Sequence, residues 1–138
     1  NMDMPDIRPG NTVYLPVSVD GGYVYLGDCH AAQGDGELCG VAIEHPTITT
    51  ITIDLIRDWN IEWPRLESDD FIMSIGSVRP MEDAARIAYN DLIDWLVSDY
   101  NFDKMNAYML LTQVGSVRLG NMVDPNYTVG AAMDKTYL

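Results

Sequence analysis

The hydrophobic period of this 138-residue chain changes at Pro80, and that change restricts it to folds joining a β part to a helical part. Before Pro80 apolar residues tend to alternate. Residues 47–56 interleave Thr and Ile almost perfectly, the pattern of a half-buried strand. Residues 12–19 place Val13, Leu15, Val17 and Val19 on one face, and Asp20-Gly21-Gly22 follows as a turn. Residues 23–30 and the short apolar run 38–43 read as further strands, with a Gly-rich loop over 31–37 between them; residues 70–74 add another. Beyond Pro80, Met81, Ala84, Ala85, Ala88, Leu92, Trp95 and Leu96 recur at helical spacing and predict a helix over 80–100. Pro80 suits its first position, and Glu82 and Asp83 complement the positive end of its dipole. A second helix is expected over 103–111 with Asn101 as cap, and 117–123 returns as a strand.

These elements describe one domain over residues 1–138, β over about 1–76 and helical over about 80–112. The expected fold is mainly β, sandwich-like, with two C-terminal α-helices. Apolar residues are 47% of the chain, enough for a core, and no apolar run approaches the ~20 residues of a membrane span. The net charge of −13 disfavours nucleic acid and anionic lipid as partners. It suits an uncharged substrate, and it also serves plain solubility. Cys29 and Cys39 are the only cysteines, too few for a disulfide scaffold. Both are expected reduced and buried, in a cytoplasmic protein. Arg65 is a candidate to neutralise a buried carboxylate, and Trp59, Trp63 and Trp95 are expected to pack in the core or an interface.

Chemistry concentrates in residues 27–44. Asp28 and His30 stand two apart on a predicted strand, so period two turns both to one face and Cys29 to the other. A carboxylate beside an imidazole is a suitable pair of zinc ligands. Asp35 and Glu37 follow in a loop where Gly34 and Gly36 permit a sharp turn back, and Glu44 ends the next strand. Carboxylates packed together are costly unless a cation or a proton neutralises them. A metal site and a polar, solvated hairpin with an incidental His both fit these residue types, because Asp and Gly are common in turns.

Residues 26–44, LGDCHAAQGDGELCGVAIE, resemble the signature of the acetamidase/formamidase family. Asn1-Met2-Asp3 resembles the family's Asn-x-Asp segment, and Tyr14-Leu15-Pro16-Val17 the strand between that segment and the signature. Trp63-Pro64-Arg65-Leu66-Glu67 resembles a downstream Pro-Arg segment, and the helix over 81–96 and Ala107-Tyr108-Met109-Leu110-Leu111 are similar in order. The resemblance runs over nearly the whole chain and corresponds to the C-terminal half of the family's pattern. Ser116 departs from an expected acid before Val117-Arg118, and Asn121 stands where Gln is commoner.

The resemblance implies a hydrolase that converts acetamide, formamide or a similar short amide to the acid and ammonia. It implies a divalent metal as cofactor, expected to be zinc. Asp28 and His30 are the first expected ligands, with Asp3 and Glu44 as further ones. Glu37 is the expected general base, and Asp35 is expected to orient Glu37 or the metal. Gln33 and Asn1 are expected to hydrogen-bond the substrate amide. Cys29 is weighed as a nucleophile and set aside, because its side chain should face away from His30. The alternative is a non-catalytic metal-binding β domain or structural subunit. The expected partners are an upstream N-terminal half or a second protomer, in a homo-oligomer, with no nucleic acid and no membrane.

Overall fold

The computed structural model of the chain describes residues 2–138, so the expected substrate contact Asn1 lies outside the described residues. Five strands form one antiparallel sheet: β1 (Thr12–Tyr14), β2 (Arg65–Glu67), β3 (Phe71–Val78), β4 (Ser116–Asn121) and β5 (Tyr127–Asp134), in the order β1-β2-β3-β5-β4. Helices α1 (Met81–Tyr100) and α2 (Lys104–Val114) connect β3 to β4. The expected combination of β structure with two helices is therefore present.

Period two divides the sheet's side chains. Ile72, Ala131 and Met133 face α1 and α2, where they pack with Ala88, Leu92, Trp95 and Leu96. Leu66, Met73, Ile75 and Ala132 face the other way, against Met4 of the N-terminal segment. Helix α1 lies very close to β3. A Cβ at Gly76 would collide with the Ala84 carbonyl oxygen, so only glycine permits this approach.

The predicted helices shift only at their ends. Pro80 is the N-cap of α1 and not its first residue. Asn101, expected to start α2, instead ends α1 in the left-handed conformation at φ 63°. Asp103 caps α2, its carboxylate accepting from the Met105 and Asn106 N–H groups. Strand β5 was not anticipated. Its Gly130-Ala131-Ala132 run has poor strand propensity, but small residues fit between tightly packed neighbours: a Cβ at Gly130 would crowd Met73 and Met4.

The larger correction concerns residues 15–64. The expected strand over 12–19 shortens to β1, and those over 23–30, 38–43 and 47–56 do not join the sheet. Only a single bridge, His30 to Glu44, forms among these residues. Val17, Tyr23, Tyr25, Ile48 and Ile53 are exposed. Alternation gives an extended preference, but a ladder needs a partner edge for its N–H and C=O groups. No described residue supplies that edge. No helix of the described residues is long and apolar enough to cross a membrane.

Arg65, a candidate for this role, neutralises a buried carboxylate. Its Nε and Nη2 donate to Asp91 of α1 at 2.8 and 3.1 Å, and the Ser74 hydroxyl donates to the same carboxylate at 2.6 Å. The guanidinium lies 5.2 and 5.0 Å from the ring centroids of Trp59 and Trp95. Both side chains of the pair are almost fully buried. Replacing one partner strands the other charge. Arg65→Met is expected to lower stability by ~3–5 kcal/mol, and Arg65→Met with Asp91→Leu to recover most of it. Urea denaturation of the single and double variants measures both; an unaffected single variant would contradict the role given to the pair.

Candidate functional site

The signature loop is held by backbone before any side chain acts. Ala31 N–H donates to the Ile43 carbonyl at 2.8 Å, Ile43 N–H to Ala32 at 3.0 Å and His45 N–H to Cys29 at 3.2 Å. This narrow ladder sets His30 opposite Glu44. At the loop tip, Gly36 N–H donates to Leu119 of β4 at 2.8 Å, and Met122 N–H returns to Gly36 at 3.1 Å. Gly36 and Glu37 hold φ of 80° and 46°, which turns the Glu37 side chain inward.

His30 carries the first cluster. Its Nε2 lies 3.3 Å from Asp28 and 3.1 Å from Glu44, while its side chain is only 9% exposed. Its Nδ1 meets Gln33 Oε1 at 2.9 Å. Nε2 is buried without a hydrogen-bond partner. The hydrogen bond to Gln33 pushes the His30 pKa up; burial opposes this, and the Glu44 and Asp28 carboxylates add to the rise. Asp28 reaches this position through a left-handed backbone (φ 55°) and not through strand alternation. The predicted pairing of Asp28 with His30 therefore forms by a different local route.

A second cluster lies beside the first. Carboxylate oxygens of Asp3, Glu37 and Asp124 come within 4.8 Å of one another. Glu37 is 8% exposed. Burial raises its pKa first, and the adjacent Asp3 raises it further, while His30 pulls it down. Asn121, fully buried, donates from Nδ2 to Asp3 at 2.9 Å and to Asp124. Its Oδ1 accepts from the N–H groups of Val123 and Asp124 at 2.9 and 3.1 Å.

The structure thus sorts the expected residues. Asp28, His30 and Glu44 come together. Asp3 joins Glu37 and not His30. Asp35 is exposed and pairs with Arg118 at 3.1 Å, away from the role of orienting Glu37. Gln33 commits both ends of its amide, to His30 and to the Gly120 carbonyl. Cys29 and Cys39 are free thiols. Neither is buried as expected, because the strands meant to cover them do not pair: Cys39 is exposed and Cys29 partly so. Asp124 was missed, and Asn121 was noted only as a departure. Their Asn-x-x-Asp spacing is a turn signal, and their place in the acid cluster is invisible until β4 meets the N-terminal segment.

The first cluster fits a divalent cation on its own chemistry. An imidazole nitrogen and two carboxylates are donors that zinc accepts. Two carboxylates face His30 Nε2, and a cation held between them would supply the positive charge they lack.

Comparison with known proteins gives a consistent picture. The sequence model of the Acetamidase/Formamidase family matches residues 1–135. A formamidase of Methylophilus methylotrophus is 43% identical over 60 residues, covering 42% of this chain and 14% of its own. An acetamidase of Mycolicibacterium smegmatis is 30% identical over 112 residues, 79% of this chain and 25% of its own. The crystal structure of an acetamidase from Yersinia enterocolitica aligns with a TM-score of 0.97 at 61% identity, over 99% of this chain and 42% of that one. An acetamidase from Bacillus halodurans aligns with a TM-score of 0.78 at 32% identity, over 99% of this chain and 46% of that one. The chain spans less than half the length of these solved relatives.

The acid triad has a consequence for stability. A carboxyl whose folded pKa is raised destabilises the fold above that pKa, and the penalty fades as pH falls toward the ordinary glutamate value. Metal-free Glu37→Gln is therefore expected to melt higher than the parent protein at neutral pH, with the gap closing on acidification. Thermal melts across pH check this; a constant gap would place the effect elsewhere than in ionisation.

Proposed function

The chain belongs to the acetamidase/formamidase family, and on that premise we propose that it is part of an amidohydrolase cleaving a short aliphatic amide to carboxylate and ammonia. The observation that carries the site assignment is the buried, unpartnered His30 Nε2 facing Asp28 and Glu44. Those three residues would hold the metal, and zinc matches their donor set. When bound, such a cation supplies carbonyl polarisation and a lowered pKa for water.

The remaining steps belong to the chain's own groups. Glu37 is buried, has a raised pKa and is close enough to His30 for each to influence the other's protonation. A carboxyl tuned upward suits proton transfer near neutral pH. In the proposed reaction water forms the new C–O bond and the C–N bond breaks. Glu37 carries the water's proton to the departing nitrogen. Asp3 and Asp124, tied by Asn121, hold Glu37 in its raised-pKa environment.

The exposed apolar residues between 15 and 56 support a further part of the same reading. The Yersinia acetamidase reproduces 99% of this chain within 42% of its own length. The proposed cover for the unpaired segment is the remainder of the family fold, which supplies the missing strand edges. Light scattering on the 138-residue chain tests this. A stable, concentration-independent dimer would instead assign the cover to a second copy.

The function is tested by ammonia release from acetamide and formamide, with and without a chelator. Expected are chelator-sensitive turnover and loss of metal in His30→Ala. Glu37→Gln is expected to retain metal and lose ~10²–10⁴-fold in rate. Metal binding without ammonia release would favour the alternative, a non-catalytic metal-binding domain. Equal metal content in His30→Ala and the parent protein would remove the ligand assignment.

A further inference from the structure

Gln33 is the side chain that joins the His30 cluster to the sheet. Its Nε2 donates to the Gly120 carbonyl at 3.2 Å, and its Oε1 lies 2.9 Å from His30 Nδ1. A carbonyl oxygen only accepts, so the amide nitrogen must face Gly120 and the amide oxygen must face the imidazole. An amide oxygen also only accepts. Nδ1 therefore carries a proton, and in the neutral imidazole the lone pair sits on Nε2. That is the atom buried without a hydrogen-bond partner and directed at Asp28 and Glu44.

The Gly120 carbonyl is available because the β4–β5 ladder slips at this point. The register shifts between Leu119 and Asn121, which leaves Gly120 in a bulge. Glycine is required there on another account: a Cβ would collide with the Asp3 carbonyl oxygen. One irregularity thus serves both clusters. It admits the segment that brings Asp3 to Glu37, and it presents the acceptor that orients Gln33.

We propose that Gln33 is a positioning residue that fixes the His30 tautomer, through the Gly120 bulge, so that Nε2 is presented as a metal ligand. This assigns Gln33 a place behind the metal site and not against the substrate. It rests on the metal reading above for its purpose, but the tautomer itself is a property of the metal-free chain. Outer-shell partners of this kind typically change metal affinity ~10–100-fold when removed.

Two substitutions separate positioning from bulk structure. Gln33→Met has nearly the same shape and removes both hydrogen bonds. Gln33→Glu keeps an acceptor for Nδ1–H and loses the donor to Gly120. The chain has only two histidines, so His45→Gln leaves a single imidazole for long-range ¹H–¹⁵N spectroscopy. At a pH where the ring is neutral, the metal-free parent is expected to show the Nδ1–H tautomer. Gln33→Met is expected to show a mixture or the Nε2–H form. Zinc affinity by chelator competition is expected to fall ~10–100-fold in Gln33→Met and to stay within a few-fold of the parent in Gln33→Glu. Unfolding midpoints in urea would move alike in both variants if the role were only structural. A Gln33→Met protein with the parental tautomer, or a parent with Nε2–H, overturns the proposal. A parent that shows Nδ1–H but binds no zinc sinks the metal reading alone.

Discussion

The buried pair of Arg65 and Asp91 is the interaction on which the placement of the other elements depends. It ties β2 to α1 across the inner face of the sheet, and Ser74 of β3 completes the carboxylate's hydrogen bonding. Buried ion pairs are stabilising only when both charges are well matched and the remaining lone pairs are satisfied. Here the fork geometry and the flanking Trp59 and Trp95 rings meet that condition. Tyr14 of β1 packs edge-on against both rings, at 5.0 and 5.9 Å between centroids. The same arginine thus anchors the edge of the sheet from which the chain sets out toward the signature loop.

Charge economy explains the chemistry of the site. The sequence has 21 acids against 8 lysines and arginines. Several of those cations are committed: Arg65 to Asp91, Arg118 to Asp6 and Asp35, Lys135 to Glu67. Among the described residues, no lysine or arginine forms an ion pair with Asp28, Glu44, Asp3, Glu37 or Asp124. The two clusters are left with one imidazole, one asparagine and whatever proton or cation they bind. A carboxyl is pushed toward its neutral form in such a setting, as Glu37 is. The burial and neighbouring acids that raise the Glu37 pKa cost stability locally.

Much of this was legible from the residues, for physical reasons that also mark the limits. Residues 81–100 combine a long 3.6-residue period with acidic residues in the first turn, and signals that agree with each other survive tertiary packing. The pairing of Asp28 with His30 was legible because it is local; its mechanism was misread, since a left-handed Asp28 and not alternation brings it about. Asp124 and the Gly120 bulge were not legible. They matter only where β4 meets the N-terminal segment, a contact spanning more than a hundred residues that no local pattern encodes. Strand β5 failed for the opposite reason. Its small residues answer to the closeness of neighbouring layers, and that requirement overrides strand propensity.

The unpaired segment shows how a correct local reading can coexist with an unformed element. Thr and Ile alternate in residues 47–56 because β-branched side chains suit a pleated surface with neighbours on the flanking strands. That preference records a ladder, and a ladder is a property of two edges. Without a partner edge among the described residues, Ile48, Ile51 and Ile53 stay in solvent and no strand forms. The His30–Glu44 bridge survives because both of its edges lie within the same loop, closed by a short connection. The site is therefore preorganised by contacts internal to this chain, from the Gly36 turn to the Gly120 bulge. The residues that flank it on either side form no ladder. The geometry of the His30 cluster and the pairing of residues 47–56 are in this way separable, and the first can be examined without the second.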